Sequence, residues 1–304
     1  MKSILRSIIY FILPYFLIAT GRIKRVKKKA ANGDFILSVF FHNPSRKLFE
    51  SIVKWFLKNG FHFISVDELY DILHNGKKIP SSAVVFTVDD GWKENKDNIV
   101  AVAEEYKIPV TIFITTDPVE NGGGYWVSYV FQAKQNNLNY PTLSALKMLP
   151  NDERLTITNE IKTKFTLPRE ALSIDELKQI SKSKYITLGS HTISHPFLTS
   201  CSEDQSRKEI TESKLILEKW LHKDVNSFAY PFGNYNDKEI ELLKKANYNL
   251  SFSTKSEYLT KECANILYSL PRFEVADNDS YLESICKMTG TWYEINAKLK
   301  KASS

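Results

Sequence analysis

The sequence has few cysteines and no internal repeat. Its three cysteines, Cys201, Cys263 and Cys286, are odd in number and lack C-x-x-C spacing. They indicate buried or incidental thiols in a reducing compartment, and they argue against a disulfide framework. Low-complexity tracts are also missing from the sequence, so a repeat or fibrous architecture is excluded.

An even spread of positive charge is missing as well. The net charge is +6, yet residues 1 to 30 hold eight basic and no acidic residues, which leaves 33 basic against 35 acidic residues in the remainder. A protein that binds nucleic acid across its whole surface would carry a basic body. We therefore expect no nucleic-acid partner.

The longest apolar run, Ile4 to Ala19, is short for a straight membrane span. It covers about 16 residues, whereas a spanning helix needs roughly 20, and the basic run Arg22 to Lys29 follows it. A cleaved signal peptide would have a small-residue cleavage site there instead. A spanning anchor with cytoplasmic basic residues and a helix packed on the domain are two further interpretations.

We favour an interfacial or re-entrant helix that is broken near Pro14 and places its basic residues against anionic headgroups. Residues 1–34 are thus predicted to be a membrane-associating segment on the cytoplasmic face. An extracytoplasmic, membrane-anchored protein is the alternative.

Residues 35–304 have the pattern of one α/β domain, a distorted barrel of about seven strands. Short β-rich runs alternate with amphipathic helical patterns, which is typical of a mainly parallel sheet. The candidate strands are Phe35 to Phe41, Val84 to Val88, Val110 to Ile114, Ile186 to Ser190, Ser227 to Tyr230 and Leu250 to Ser253. The candidate helices are Phe49 to Leu57, Lys93 to Tyr106, Glu203 to Leu221 and Asp237 to Ala246.

The alternation stops between about residues 117 and 169. This stretch begins with three glycines, Gly122 to Gly124, and contains two predicted short helices, Leu143 to Leu149 and Arg154 to Phe165. We interpret it as an insertion that forms a lid or a substrate wall.

Two acidic residues, Asp89 and Asp90, follow a strand-like run and precede Gly91. In α/β folds, reactive groups collect at the carboxyl ends of strands, and a glycine allows the sharp turn that brings both carboxylates to one pocket. Taken alone, the motif is more typical of a turn or a helix cap. Its functional weight depends on its partners.

Those partners are His191 and His195, which are spaced by four and follow another predicted strand. Neutral imidazoles suit zinc and similar ions, although a lone pair of this kind is more often hydrogen-bonded within a loop. Together with the carboxylates, the pair predicts one divalent metal ion, with zinc favoured, and an open position where water is activated for hydrolysis.

Further candidates lie at other strand ends. His42 ends the first strand. Tyr230 and Phe232 belong to a Pro-Gly loop that is either an oxyanion donor or an ordinary turn. Arg272 is either the partner of a carboxylate or a surface arginine. His62, His74 and His222 are predicted to be solvated. The aromatic residues Trp92, Tyr125 and Trp126 are candidates for stacking on sugars or for packing.

Three motifs in this order, Thr87-Val-Asp-Asp-Gly, Ser190-His-Thr-Ile-Ser-His-Pro and Tyr230-Pro-Phe-Gly, resemble the metal-dependent polysaccharide deacetylases of carbohydrate esterase family 4, the NodB-homology group. The resemblance implies a distorted (β/α) barrel, with Asp90, His191 and His195 as metal ligands and Asp89 as the general base. In many members the general acid is a late histidine, but no histidine follows His222 here. The sequence is therefore closer to the circularly permuted exopolysaccharide deacetylases, in which that histidine lies on the first strand, as His42 does.

One departure concerns Ala229, where many members carry an arginine. Arg272 is our candidate to replace it. The resemblance implies hydrolysis of N-acetyl groups on a sugar of a polysaccharide or a lipid-linked glycan. An inactive sugar-binding or scaffold protein is the alternative that Ala229 favours, and a phosphoesterase would need more carboxylates for a second metal.

Overall fold

The computed structural model describes residues 13–294 of the chain. Eight strands run in one sheet, and all of their pairings are parallel. They are β1 (Leu37–Phe41), β2 (His62–Phe63), β3 (Ala83–Val88), β4 (Val110–Ile114), β5 (Ile186–Ser190), β6 (Ser227–Ala229), β7 (Leu250–Phe252) and β8 (Phe273–Glu274).

Helices connect the strands and cover the outside of the sheet. They are α1 (residues 13–19), α2 (Arg22–Ala31), α3 (Arg46–Lys58), α4 (Val66–His74), α5 (Ala101–Tyr106), α6 (Thr116–Asn121), α7 (Trp126–Gln135), α8 (Leu143–Met148), α9 (Asn151–Lys162), α10 (Ile174–Ile180), α11 (Glu203–Leu221), α12 (Asp237–Lys245) and α13 (Tyr281–Met288). Shorter helical turns are a π-helix at Lys96–Val100 and 3-10 helices at Leu198–Ser200, Pro231–Gly233 and Lys261–Ser269. Residues 291–294 are also helical.

The strand order is β7-β6-β5-β4-β3-β1-β8, with β2 paired to the start of β3. A parallel bridge between Phe252 and Leu270 connects β7 to the segment that leads into β8. The two ends of the sheet therefore approach each other, and the sheet curls into the distorted (β/α) barrel that the sequence predicts.

Alternation along β3 decides which side chains enter the barrel. Val84, Phe86 and Val88 pack in the core beneath the helices, whereas Val85 packs in a second cluster that also contains Phe113 and Phe252. Because successive side chains of a strand point to opposite faces, Thr87 and Asp89 lie on the same face as Val85. The strand thus delivers Asp89 to the carboxyl end of the barrel interior.

The predicted first and last residues of strands and helices agree best with the structure where the hydrophobic pattern is long. β4, β5 and α11 have the bounds that the sequence predicts. β2 and β8 were not predicted, because each is only two residues long and has no alternation to detect. The predicted helix from Lys93 to Tyr106 begins later, as a π-helix at Lys96 that continues into α5.

The insertion contains four helices, α6 to α9, rather than the two that the sequence predicts. The unpredicted α7 is rich in aromatic and β-branched residues, which mask its helical pattern. Its buried residues Trp126, Tyr129, Val130 and Ala133 recur at helical spacing and form a small core of their own with Leu146 and Ile161.

The amino-terminal prediction falls partly outside the described residues, since residues 1–12 are not among them. Helix α2 buries Ile23, Val26 and Ala30 against the barrel, so this part of the predicted segment packs on the domain. Every helix within residues 13–294 is too short or too polar to cross a membrane. The three cysteines are free and buried, as predicted.

Candidate active site

The candidate residues meet at the carboxyl edge of the sheet. His42, Asp89 and His191 directly follow β1, β3 and β5, and these strands are in parallel register, with Phe41 opposite Val88 and Ile114 opposite Ser190. The Asp89 backbone N–H continues the pairing by donating to the Phe41 carbonyl at 2.9 Å. Parallel strands thus place residues from distant parts of the chain around one opening.

Asp90, His191 and His195 form a cluster with the donor set of a metal site. Oδ1 of Asp90 lies 3.5 Å from Nε2 of His191 and 3.4 Å from Nε2 of His195, and the three potential ligand atoms lie within 4.8 Å of one another. This Oδ1 is buried and accepts no hydrogen bond from the described residues. A buried carboxylate oxygen without a donor is costly, and a cation would satisfy it.

Hydrogen bonding fixes the state of His191. Its Nδ1 lies 2.7 Å from the Ala229 carbonyl oxygen, which only accepts, so Nδ1 carries a proton. This bond leaves Nε2 as the ring nitrogen that faces Asp90 and can bind a metal ion. Burial lowers the pKa of His195 to about 3 against the opposing effect of Asp90, so the imidazole of His195 is neutral at pH 7. One nitrogen of each ring is therefore directed at Asp90, which fits the donor set of a metal site.

The turn after β3 aims Asp90 at the two histidines. Asp90 has φ 75° and Gly91 has φ 85°, a region that favours glycine. The backbone carbonyl of Asp90 accepts from the Tyr125 hydroxyl at 3.0 Å, and its Oδ2 accepts from Nε1 of Trp92 at 2.9 Å. The Tyr125 and Trp92 rings also pack together, with centroids 4.5 Å apart. These two aromatic residues line the cavity and also hold Asp90 in place.

Asp89 is paired with Arg272. Nη1 and Nη2 of the guanidinium each lie 2.8 Å from a different carboxylate oxygen, and both side chains are buried. Nε of Arg272 also donates to the Ser253 carbonyl at 3.0 Å. Burial is the largest influence and raises the pKa of Asp89, but the charge and hydrogen bonds of Arg272 together with His191 and His42 outweigh it and lower that pKa. Asp89 is thus ionised and held in one orientation.

His42 lines the same cavity as Asp89 and Asp90. It is half-buried, and its backbone carbonyl accepts from Nδ2 of Asn95 at 2.9 Å. Burial tends to lower the pKa of His42, but the nearby carboxylates, first Asp90 and then Asp89, outweigh it and raise that pKa. The ring therefore holds its proton more tightly than an ordinary histidine. His62, His74 and His222 are exposed and lie away from the cavity, as predicted.

The cavity has a volume of about 760 Å³. The insertion forms one wall, as the sequence predicts, with Trp126, Val127, Ser128, Phe131 and Lys147 among the lining residues. Trp126 is buried and donates from Nε1 to the His195 carbonyl at 3.1 Å. The insertion and the carboxyl ends of the strands thus enclose one cavity beside Asp90, His191 and His195.

The proposed role of Tyr230 in contacting substrate is not supported. Its hydroxyl donates to the Tyr268 carbonyl at 2.9 Å and its backbone N–H donates to the Phe252 carbonyl at 3.0 Å. Both donors are therefore used within the core. Phe232 does line the cavity and has φ 58°, and its ring lies 4.6 Å from that of His195. An oxyanion role for its N–H stays a prediction.

Sequence reasoning missed Glu209, a buried carboxylate on α11 that contacts the loop between the two histidines. Glu209 shares the buried face of this helix with Ser206, Ile210 and Ser213. An acidic residue on a buried helical face was the available signal, because such residues are rarely buried without a partner.

Comparisons with known proteins agree with this geometry. The family model described as polysaccharide deacetylase matches residues 76–251, more than half of the chain. A poly-beta-1,6-N-acetyl-D-glucosamine N-deacetylase of Staphylococcus epidermidis is 24% identical over 263 residues, which cover 84% of this chain and 78% of the relative.

Two solved structures share the fold. The Streptococcus pyogenes deacetylase PplD in complex with acetate has a TM-score of 0.63 at 20% identity and covers 84% of this chain and 98% of its own. IcaB from Ammonifex degensii has a TM-score of 0.61 at 18% identity, and the match again covers 84% of this chain and 98% of the other. The predicted fold and the predicted relationship are confirmed, and the chain belongs to the polysaccharide deacetylase family.

Proposed function

We propose that this chain is a metal-dependent N-deacetylase that hydrolyses acetamido groups of an N-acetylated polysaccharide. The observation that carries the proposal is the convergence of Asp90, His191 and His195 within 4.8 Å, beside a second carboxylate, Asp89, which lines the same cavity. A donor set of two imidazoles and one carboxylate favours zinc among the divalent ions. A cation held there would supply a Lewis acid that polarises the acetyl carbonyl and acidifies a water molecule.

Asp89 is the general base of the proposed reaction. Arg272 binds both of its oxygens, which leaves the remaining lone pairs to accept a proton from the attacking water. The low pKa that Arg272 imposes makes Asp89 a weak base, so the reaction requires water that is already acidified. Asp89 therefore contributes orientation as well as proton transfer.

His42 is the general acid. Hydrolysis of the amide gives acetate and an amine, and the amine leaves badly unless its nitrogen gains a proton as the C–N bond breaks. The raised pKa of His42 favours the protonated imidazolium that can supply it. Because His42 and Asp89 line one cavity, the acid and the base can act on the same acetamido group.

The substrate class follows from the family and from the cavity. The Staphylococcus epidermidis relative carries the name poly-beta-1,6-N-acetyl-D-glucosamine N-deacetylase, so β-1,6-linked N-acetylglucosamine oligomers are the first substrates to test. Acetate release should be measured on these and on other N-acetylated saccharides, with and without a chelator. Release that is abolished by chelator and restored by Zn²⁺ is expected. Chelator-resistant release would contradict metal dependence.

The alternative of an inactive sugar-binding protein loses its main support in the structure. That support was Ala229, but Arg272 supplies a guanidinium to Asp89 from the segment directly before β8. The same assay separates the two functions, since an inactive protein would bind oligomers without releasing acetate.

We also propose that the amino-terminal region contacts an anionic membrane surface. Lys24, Arg25, Lys28 and Lys29 lie on the exposed side of α2, and Phe16 of α1 is 57% exposed. Exposed basic side chains, together with an exposed aromatic ring on the preceding helix, suit the interface of a bilayer with anionic lipids. The cytoplasmic face stays a prediction.

The position of α2 bears on the substrate. The carbonyl of Ala30, near the end of α2, accepts from the N–H of Ser82 just before β3, so this helix lies at the amino ends of the strands. The cavity opens at their carboxyl ends. A membrane bound by α2 would therefore face away from the cavity, which favours a polymer in solution over a glycan linked to a lipid in that same membrane.

Flotation with vesicles tests the membrane proposal. The full chain should float with vesicles that contain anionic lipid and stay behind with neutral ones, and replacing the four exposed basic residues of α2 with glutamine should abolish flotation. Equal recovery with both vesicle types would contradict the proposal.

A further inference from the structure

The loop that carries both candidate metal-binding histidines has a strained backbone. Thr192 has φ 69° and His195 has φ 53°, and a β-branched residue such as Thr192 rarely adopts this region. Such a conformation is costly and persists only where the surrounding structure holds it. The contacts that hold this loop therefore decide whether the two imidazoles stay in position.

Glu209 makes three of these contacts. Its Oε2 accepts from the backbone N–H of Ile193 at 2.8 Å and of Ser194 at 2.9 Å, and its Oε1 accepts from the Ser194 hydroxyl at 2.6 Å. The side chain is buried on α11. A single carboxylate thus satisfies three donors that lie between His191 and His195.

The charge of Glu209 is balanced from the insertion. Arg154, on α9, is 2% exposed, and its Nη2 lies 3.5 Å from the same Ser194 hydroxyl that donates to Glu209. Nη2 and Nε of Arg154 also donate to Oδ1 of Asn151 at 2.7 and 3.2 Å. No carboxylate among residues 13–294 forms a direct ion pair with Arg154, so Ser194 connects the two buried charges.

The insertion contacts this loop at a second point. The guanidinium of Arg154 lies 4.8 Å from the centre of the Trp126 ring, a cation–π distance. Trp126 in turn donates from Nε1 to the His195 carbonyl. Two helices of the insertion therefore contact the loop: α7 at His195 and α9 at Ser194.

We propose that Glu209, Ser194 and Arg154 are positioning residues that hold the His191–His195 loop in its metal-binding form and make the insertion a structural part of the metal site. The inference rests on the proposed metal-dependent function. It assigns the insertion a second role besides forming a wall of the cavity. Residues that orient metal ligands from behind typically change metal affinity by about 10- to 100-fold when they are replaced.

The test measures metal binding rather than turnover. Zn²⁺ affinity is determined by competition with a chromophoric chelator, and the Co²⁺-loaded protein is examined by visible absorption. Glu209→Gln keeps the size of the side chain but replaces one of its two accepting oxygens with an N–H₂ group, which cannot accept a hydrogen bond. We expect this variant to bind Zn²⁺ at least 10-fold more weakly and to show a changed Co²⁺ spectrum.

Glu239→Gln is the matched control. Glu239 is a fully buried glutamate on α12 that accepts from Ser206 and makes no contact with the histidine loop. The control should lose stability without losing Zn²⁺ affinity. If Glu209→Gln does not fold, Ser194→Ala replaces it, because this change removes only the hydroxyl that connects Arg154 to Glu209. Arg154→Lys, which keeps the charge, should retain more affinity than Arg154→Met.

The outcomes separate this inference from the proposed function. If the unsubstituted chain binds no Zn²⁺ and releases no acetate, the proposed function is wrong. If the unsubstituted chain does both, and folded Glu209→Gln and Ser194→Ala match its Zn²⁺ affinity and Co²⁺ spectrum, only the positioning inference is overturned.

Discussion

Replacing Arg272 with methionine removes the partner of Asp89 and leaves a buried carboxylate without compensation. The two side chains are 0% and 3% exposed, and the guanidinium makes two 2.8 Å bonds to the carboxylate. Water therefore screens this pair very little. Removing one member of a buried pair costs about 3–5 kcal/mol. We therefore expect the free energy of unfolding of Arg272→Met at pH 7 to be lower than that of the unsubstituted chain by this amount.

The pH dependence of this loss has a defined sign. Arg272 lowers the pKa of Asp89 in the folded chain, so the pair stabilises the fold above the unfolded pKa of about 3.9 and loses that contribution as the pH falls through the folded pKa. In the variant, burial acts without the opposing charge and hydrogen bonds of Arg272, so the pKa of Asp89 shifts upward. The difference in stability between the two proteins should therefore be largest near neutral pH and shrink toward pH 4.

Chemical denaturation in the presence of chelator measures this difference without a contribution from metal binding. Arg46→Met is the control, because the pair between Arg46 and Glu105 is also 2.8 Å long but its side chains are 44% and 50% exposed. Such a surface pair contributes about 0–1 kcal/mol. Equal losses in the two variants, or a loss in Arg272→Met that does not change with pH, would show that Arg272 does not stabilise an ionised, buried Asp89.

Three further predictions concern other parts of the site. His42→Gln should lower kcat by about 10²- to 10⁴-fold. In the pH profile of kcat of the unsubstituted enzyme, the loss of activity at alkaline pH should have its midpoint above the ordinary histidine pKa of 6.5, because the carboxylates outweigh the effect of burial on His42. Trp92→Phe removes the donor to Oδ2 of Asp90 and should weaken Zn²⁺ binding by about 10-fold in chelator competition. Gly91→Ala should destabilise the fold by more than Gly60→Ala in thermal unfolding, since both have positive φ but only the added Cβ at Gly91 would meet another side chain, at 2.7 Å.

The sequence predicts most of the barrel because hydrophobic runs mark its strands directly. β4 and β5 are buried along nearly their whole length and have parallel neighbours on both sides, and a short, continuous apolar run is typical of a strand that is covered on both faces. The short strands β2 and β8 take their conformation from tertiary pairing with β3 and β1. Local sequence carries no signal for such pairing.

The same limit applies to the site. The spacing of His191 and His195 and their place after a strand suffice to bring them to Asp90, because the ends of parallel strands meet at one edge. Arg272 lies 183 positions from Asp89, so its pairing could only be offered as one of two alternatives. The motif around Tyr230 offers an oxyanion donor as one of two alternatives, but the two donors of Tyr230 bond within the core.

Metal content and acetate release, measured together on the unsubstituted chain and on Asp89→Asn, distinguish metal binding from proton transfer at the site. We expect one zinc per chain in both proteins, with acetate release from an N-acetylglucosamine oligomer only in the unsubstituted chain. Asp34→Asn, at an exposed position, should behave like the unsubstituted chain. Acetate release by Asp89→Asn at the full rate would show that Asp89 is not the general base, and an active chain that contains no metal would show that the reaction is not metal-dependent.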